Sequence, residues 1–248
     1  MLKYLYFSIK HLIKRQKMST TQVNKNLVII GSSHIAKQSL EEVKAVITAE
    51  KPAIIAVELD RKRFQALTSK EKPSKIGIKD AFKLGMTTYL FASIGSWAQK
   101  HLGGVVGVEP GSEMKAAIKI AKKQNIRVAL IDQDIEITFK RLSKALTRKE
   151  KWNFIKDILS AFIPIKTKET KKLEKELMFD LSKVPEKELI NKMIKLMKGR
   201  YPSIYKVLID ERNKVMADNL IRIMKDNPDK KIVAVVGAGH EEGLKKLL

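Results

Sequence analysis

Lys231-Ile-Val-Ala-Val-Val-Gly-Ala-Gly-His240 is the stretch that decides the fold, and Asn26-Leu-Val-Ile-Ile-Gly-Ser-Ser-His34, near the other end of the chain, is a near copy of it. Each stretch is a short apolar, β-branched run that stops in Gly-x-x-His. Runs of this length and composition are typical of strands buried in a parallel sheet. The glycine after each run allows a tight turn. The sequence therefore predicts an α/β fold with a mostly parallel central sheet flanked by helices.

The two histidines that follow these strands are candidate ligands. Open α/β sheets place their ligand sites at the carboxyl ends of the strands. If the two strands are neighbours, His34 and His240 face one cleft. The alternative for each histidine is a structural role as a helix cap or a hydrogen-bonded turn residue. The chain has only four histidines, so two of them after matched strands favour a shared site.

Acidic residues gather at the ends of the other predicted strands, in a chain that is otherwise strongly basic. Glu58 closes an apolar run that begins at Ala53, and a charge there is costly unless it is paired or bound to metal. A salt bridge to Arg61 or Arg63 is the structural alternative. Massed carboxylates repel one another unless a cation or an arginine joins them. Together with two imidazoles they suit Mn, Co, Fe or Zn. The acids in question are Glu58, Asp60, Glu109, Glu113, Asp132 and Asp134.

Glu113 has a second interpretation. It falls in the first turn of a predicted helix, where a carboxylate interacts favourably with the helix dipole. Ser112 before it is a plausible N-cap. This structural role alone can explain Glu113, so both interpretations stay open.

The charge balance limits the classes of partner. Fifty Lys and Arg against 27 Asp and Glu give a formal net charge of +23, which attracts nucleic acid or an anionic membrane surface. The excess is mostly lysine and aromatics are only 6%, so the sequence argues against a specific nucleic-acid module. Solvated lysine-rich helix faces are the alternative. The absence of cysteine excludes disulfides and cysteine-based metal sites and fits a reducing cytoplasm.

The predicted domain organisation has a tail and one main domain. Residues 1–25 form a basic amphipathic tail that lacks the apolar core of a membrane-spanning helix, and it could lie on a membrane surface or hang loosely. Residues 26–248 form the α/β domain, with a lysine-rich helical insertion at about 135–200. The uncharged stretch 84–97 predicts a buried helix or a homodimer interface. A cytoplasmic or peripheral membrane location follows.

Six motifs follow one another along the chain, namely Gly31-Ser-Ser-His34, Val57-Glu58-Leu59-Asp60, Pro110-Gly-Ser-Glu-Met114, Ile131-Asp-Gln-Asp134, Glu211-Arg-Asn213 and Gly237-Ala-Gly-His240. Taken in order, they resemble the TraB/PrgY family over roughly residues 26–243. That family is linked to the shutdown of peptide sex pheromones and is similar to the Tiki metalloproteases and, more distantly, to erythromycin esterase and ChaN. Archaeal members often continue into C-terminal membrane helices.

The resemblance implies a metal-dependent, peptidase-like hydrolase that inactivates a peptide such as a signalling pheromone. His34, Glu58 and His240 would hold a divalent metal ion. In the working mechanism Glu113 or another carboxylate would act as general base and Arg212 would stabilise the oxyanion, with Asn213 beside it in the motif. The alternative is a non-catalytic protein that binds a peptide or partner at the membrane surface, with its acids and histidines in a hydrogen-bonded, arginine-neutralised site.

Overall fold

A computed structural model describes residues 19–32, 37–69, 111–162 and 186–248. Within them lies a five-stranded sheet in the order β1-β2-β5-β3-β4. Strands β2, β5, β3 and β4 run parallel, and β1 is antiparallel to β2. This confirms the α/β fold with a mostly parallel sheet. The strands are β1 (Ser19–Asn24), β2 (Leu27–Ser32), β3 (Ile54–Val57), β4 (Arg127–Leu130) and β5 (Ile232–Gly237).

The central strand is β5, which separates β2 from β3. Its register with β2 places Ser32 opposite Gly237, and its register with β3 places Val57 opposite Val235. Every residue of β2, β3 and β5 is buried. This explains why the three strands read as continuous apolar runs, since both faces of the sheet are covered. The two Gly-x-x-His sequences therefore do follow neighbouring strands.

Helices cover both faces of the sheet. One face packs against α1 and α3, with Val43, Ile47 and Ala117 among the buried residues, and the other packs against α8 and α9 through Met216 and Leu220. The helices are α1 (Lys37–Glu50), α2 (Arg61–Thr68), α3 (Ser112–Lys123), α4 (Ile135–Ala145), α5 (Arg148–Phe162), α6 (Glu186–Arg200), α7 (Pro202–Tyr205), a π-helical segment (Lys206–Glu211), α8 (Arg212–Asp226) and α9 (Ala238–Lys245).

Strand β1 begins before the predicted domain boundary. Sequence analysis assigned residues 19–24 to the tail, but they pair with β2 from Ser19 opposite Gly31 to Asn24 opposite Leu27. The sequence Ser-Thr-Thr-Gln-Val-Asn has no apolar run. An edge strand needs none, because its stability comes from backbone pairing along one side. Residues 1–18 lie outside the described residues.

Several predicted features fall outside the part of the chain that the structure describes. They are the strand-end acid Glu109, the uncharged stretch at 84–97 and residues 163–185 of the predicted insertion. Helices α4, α5 and α6 lie in the described part of the range 135–200. Among the described residues, no helix combines the length and the apolar character needed to cross a membrane.

Candidate functional site

Arg212 lies at the centre of a cluster at the carboxyl edge of the sheet. Its Nη2 donates to Asp132 Oδ2 at 2.6 Å and to Glu58 Oε1, and its Nε donates to Asp132 Oδ1 at 3.1 Å. Burial lowers the pKa of this guanidinium, but Glu58 and Asp132 outweigh burial and hold the pKa above its usual range. One cation thus joins carboxylates that follow two different strands.

The backbone before Arg212 is unusual. The π-helical segment Lys206–Glu211 ends directly at Arg212, whose backbone N–H donates to Ile209 O. In an α-helix that N–H would bond to the Leu208 carbonyl. Here the Leu208 carbonyl instead accepts from Nη1 of the Arg212 side chain at 3.2 Å. The wide turn therefore helps to hold the guanidinium in place, and π-helical turns are frequent at functional sites.

Glu58 follows β3 and is 8% exposed. Its Oε2 accepts a hydrogen bond from the backbone N–H of Gly237 at 2.6 Å, and its Oε1 accepts from Arg212. The carboxylate therefore bridges the end of β5 and the start of α8. The alternative salt bridge from Arg61 or Arg63 is not the one observed, because Arg212 reaches Glu58 across 154 residues of sequence.

Arg63 instead holds the other two acids of the cluster. Asp60 caps α2 by accepting from the Arg63 N–H at 2.9 Å and binds its Nε at 2.6 Å. Arg63 Nη2 also donates to Asp132. Burial raises the pKa of Asp60, but these hydrogen bonds outweigh burial and lower it. Three carboxylates and two guanidiniums leave one net negative charge among these groups.

His240 lies in the first turn of α9 and is 5% exposed. Its Nδ1 is 2.7 Å from Asn213 Oδ1, an oxygen that can only accept, so Nδ1 carries a proton. In the neutral ring the lone pair is therefore on Nε2. That atom lies 3.1 Å from Arg212 Nη1 and 3.4 Å from Glu58 Oε1. Asn213 thus fixes which nitrogen faces the carboxylate.

Two glycines make room for this arrangement. A Cβ at Gly243 would overlap the amide of Asn213, so only glycine lets α9 approach α8 this closely. A Cβ at Gly31 would lie 2.5 Å from Glu241 Oε2. Glu241 is 2% exposed and pairs with Lys245 at 3.1 Å. The glycine of the first Gly-x-x-His therefore accommodates the buried glutamate that follows the second.

The described part of the chain brings together Glu58, Arg212, Asn213 and His240 from the predicted set. His34 lies outside the described residues. Glu113 is buried in the first turn of α3, where Ser112 Oγ donates to its Oε2 at 3.3 Å. The N-cap of α3 is Gly111, with φ +81°, rather than Ser112.

The roles of Arg63 and Glu241 were not predicted from the sequence. For Arg63 a signal was available, because it lies three residues after Asp60 at the start of a helix. Asp134, counted among the strand-end acids, caps α4 by accepting from the Glu136 N–H at 2.8 Å.

Two of the described donor atoms are spaced like ligands of one metal ion. His240 Nε2 and Glu58 Oε1 are 3.4 Å apart, close to the roughly 3.4 Å that separates two ligands on a tetrahedral ion. The hydrogen bond from Nδ1 to Asn213 is of the type that orients metal-binding histidines. In the described ranges no three histidine, aspartate or glutamate side chains are arranged to hold an ion. Arg212 contacts both donor atoms, so an ion between them requires its guanidinium to move.

The fold and the cluster define an α/β protein with a polar site at the carboxyl edge of its sheet. The model of the TraB/PrgY/gumN family matches residues 17–248, and the chain belongs to this family. It is 39% identical over 225 residues to an uncharacterized protein of Methanocaldococcus jannaschii, covering 90% of this chain and 53% of that protein.

Animal relatives are more distant. A TraB domain-containing protein of Bos taurus is 24% identical over 241 residues, and one of Homo sapiens is 23% identical over 245 residues. Each match covers 88% of this chain and 61% of the relative. The chain thus spans between about half and three fifths of the length of these relatives.

Proposed function

We propose that the protein is a metal-dependent hydrolase of peptidase type that acts on a peptide such as a signalling pheromone. The observation behind this proposal is the pair formed by His240 and Glu58. Asn213 holds the His240 ring so that Nε2 lies 3.4 Å from the carboxylate, at the edge of the sheet where α/β proteins bind ligands.

In this proposal His240 and Glu58 hold a divalent ion together with His34. A bound Mn, Co, Fe or Zn ion would supply Lewis-acid chemistry, which polarises a peptide carbonyl and activates water. Asn213 keeps the proton of His240 on Nδ1, so that the lone pair lies on Nε2, the atom that now contacts Arg212 and would bind the ion. Arg212 brings a permanent positive charge, and its side chain is only 14% exposed. It would stabilise a developing oxyanion, with Glu113 assigned as general base.

A second function is favoured by a different observation. Arg212 already pairs with Glu58 and Asp132 and contacts His240, and Arg63 supplies a second positive charge to Asp132. In this arrangement the two arginines, rather than a metal ion, offset most of the negative charge of the carboxylates. Such a site would bind a peptide without cleaving it, by exchanging hydrogen bonds within the cluster for hydrogen bonds to the peptide. In this second function peptide affinity is independent of metal.

Metal titration and peptide cleavage separate the two functions. The protein is stripped with a chelator, reloaded with Mn²⁺, Co²⁺ or Zn²⁺, and incubated with a peptide library that is read by mass spectrometry. The hydrolase proposal expects cleavage with at least one metal and its loss in His240→Ala and Glu58→Gln. Glu211→Gln is the matched control, because Glu211 is next to Arg212 in sequence but pairs with Arg141 at the surface.

Two outcomes would decide against hydrolysis. The first is no cleavage under any metal, with the wild type and His240→Ala indistinguishable. The second is peptide binding with the same affinity before and after chelation, which would favour the binding function.

A further inference from the structure

Over its first ten residues, helix α5 buries its acidic side chains and exposes its basic ones. Its two acidic residues, Glu150 and Asp157, are 2% and 7% exposed and face the protein. Two large apolar side chains face solvent instead: Trp152 is 60% exposed and Ile155 is 45% exposed. The exposed charged residues in the same stretch are all basic, namely Arg148, Lys149, Lys151 and Lys156.

The inward acids fix which side of α5 faces outward. Glu150 accepts from the N–H and the hydroxyl of Thr147 at 2.9 and 2.7 Å, and from the Ser203 N–H at 2.7 Å. Asp157 accepts from Arg200 at 2.6 and 2.9 Å and from the Tyr201 hydroxyl. Because these bonds tie two successive turns of α5 to α6 and α7, the helix cannot turn Trp152 inward without breaking them.

Helical periodicity places the exposed apolar residues in the middle of the basic surface. Trp152 and Ile155 are three residues apart, so they lie on one stripe of the helix. At about 100° per residue, Lys151 falls on one side of this stripe and Lys156 on the other. The Lys156 Nζ lies 5.9 Å from the centroid of the Trp152 ring. We call the face formed by Arg148, Lys149, Lys151, Trp152, Ile155 and Lys156 the α5 face.

A single exposed apolar residue needs no explanation. An exposed tryptophan and isoleucine, flanked by lysines and with the acids of the helix turned inward, form the pattern of a helix that lies in a membrane interface. We propose that the α5 face docks the protein on an anionic lipid bilayer, with Trp152 and Ile155 in the headgroup region and the basic side chains on acidic headgroups. The net charge of +23 attracts the whole chain to the same surface.

The exposed side chains of Trp152 and Ile155 favour a lipid bilayer over other anionic partners. Nucleic acid or an acidic protein surface would use the four basic residues, but neither partner requires Ile155 to be exposed beside them. A bilayer uses both kinds of side chain, since the interface offers anionic headgroups next to acyl chains. The proposal does not depend on hydrolase activity.

The test uses the full chain and vesicles of phosphatidylcholine with or without phosphatidylserine. The chain has two tryptophans, so Trp97→Phe leaves Trp152 as the only fluorescent indole. We expect a blue shift of Trp152 emission and its quenching by brominated lipid, with anionic vesicles only. Trp152→Ser with Ile155→Ser, read by co-sedimentation, should weaken binding by about tenfold or more.

The basic residues have their own matched control. A variant with Gln at Lys149, Lys151 and Lys156 should bind anionic vesicles about fivefold more weakly per lysine, on the order of 100-fold in total at low salt. The control variant has Gln at Lys119, Lys122 and Lys123, which lie on the exposed side of α3. It loses the same charge and should lose much less affinity.

Three results would overturn the proposal. One is unshifted Trp152 emission with vesicles. Another is an equal loss of binding in the α5 and α3 lysine variants, which would show that only total charge matters. The last is vesicle binding that depends on the lysines but not on Trp152 and Ile155, which would show that the protein adsorbs to the anionic surface by charge alone and does not dock through the apolar pair.

Discussion

Replacing Gly243 with alanine tests the packing that orients His240. Alanine in place of a helical glycine normally stabilises a protein by roughly 0.5–1 kcal/mol, because glycine loses more backbone entropy on folding. At Gly243 the added Cβ would overlap the Asn213 amide, with the Asn213 Cγ at 3.0 Å. The substitution should therefore have the opposite sign at this position.

The magnitude follows from the contacts that Asn213 would lose. Asn213 and His240 are 4% and 5% exposed, and their 2.7 Å hydrogen bond is buried. Moving the amide leaves a buried donor without its acceptor, which costs about 1–3 kcal/mol, while overpacking costs a similar amount. After the gain in helix propensity is subtracted, we expect Gly243→Ala to lower the free energy of unfolding by about 2 kcal/mol.

Urea unfolding followed by circular dichroism measures this difference. Gly199→Ala on α6 is the matched control, because no atom lies within 4 Å of its added Cβ, and it should stabilise the protein. A double-mutant cycle sharpens the test. In an Asn213→Ala background the overlap is gone, so Gly243→Ala should become neutral or stabilising. An equal loss in both backgrounds would refute the reasoning.

Three further substitutions test two charged residues of the cluster around Arg212 and one helix cap. Arg212→Met leaves Glu58 and Asp132 without their shared cation and should cost about 3 kcal/mol at neutral pH. The deficit in urea midpoint should shrink as the pH falls and the carboxylates take up protons, whereas Arg141→Met, at an exposed pair, should change little. Asp60→Asn should be destabilising near neutrality. Because the folded-state pKa of Asp60 is lowered, its contribution is fully present above its unfolded-state pKa of about 4 and is lost as the pH falls through the lower folded-state pKa, so the two unfolding curves should converge only at pH values below about 4. Glu150→Ala removes the side-chain acceptor of a capping box at the start of α5 and should lower the free energy of unfolding by about 1–2 kcal/mol, measured by thermal unfolding.

The parts of the fold that depend on local pattern could be predicted from the sequence. The β-branched runs ending at Gly31 and Gly237 identified two buried strands, because burial on both faces requires continuous apolar sequence. That these two strands are neighbours is seen only in the structure. Strand β1 could not be found in this way, since an edge strand made of Ser, Thr and Gln leaves no hydrophobic signal. The same limit applies to the π-helical segment before Arg212, whose register depends on tertiary packing rather than on its own residues.

Within the site, residue types were easier to predict than partners. The sequence indicated that Glu58 needed a counter-charge, because a carboxylate at the end of a buried strand is costly. It offered Arg61 or Arg63, which are close in sequence, as the structural alternative to a metal ion. The observed partner, Arg212, is 154 residues away, and only the meeting of β3, β5 and α8 brings the two together. The close contact between Asn213 and Gly243 likewise could not be predicted from the sequence, because it forms only where α8 and α9 pack together.

The two proposed functions differ in what offsets the negative charge of Glu58 and Asp132, and Arg212 is the residue that separates them. Its guanidinium contacts Glu58 Oε1 and lies 3.1 Å from His240 Nε2, so a divalent ion held by those two atoms must displace it. Removing this competitor also leaves the cluster more negative. If the site holds metal, Arg212→Met should therefore bind Mn²⁺ more tightly than the wild type in a calorimetric titration, and adding His240→Ala should abolish the gain. Equal and negligible heats for the wild type and Arg212→Met would mean that the arginine is the site's permanent cation, which is the arrangement that the binding function requires.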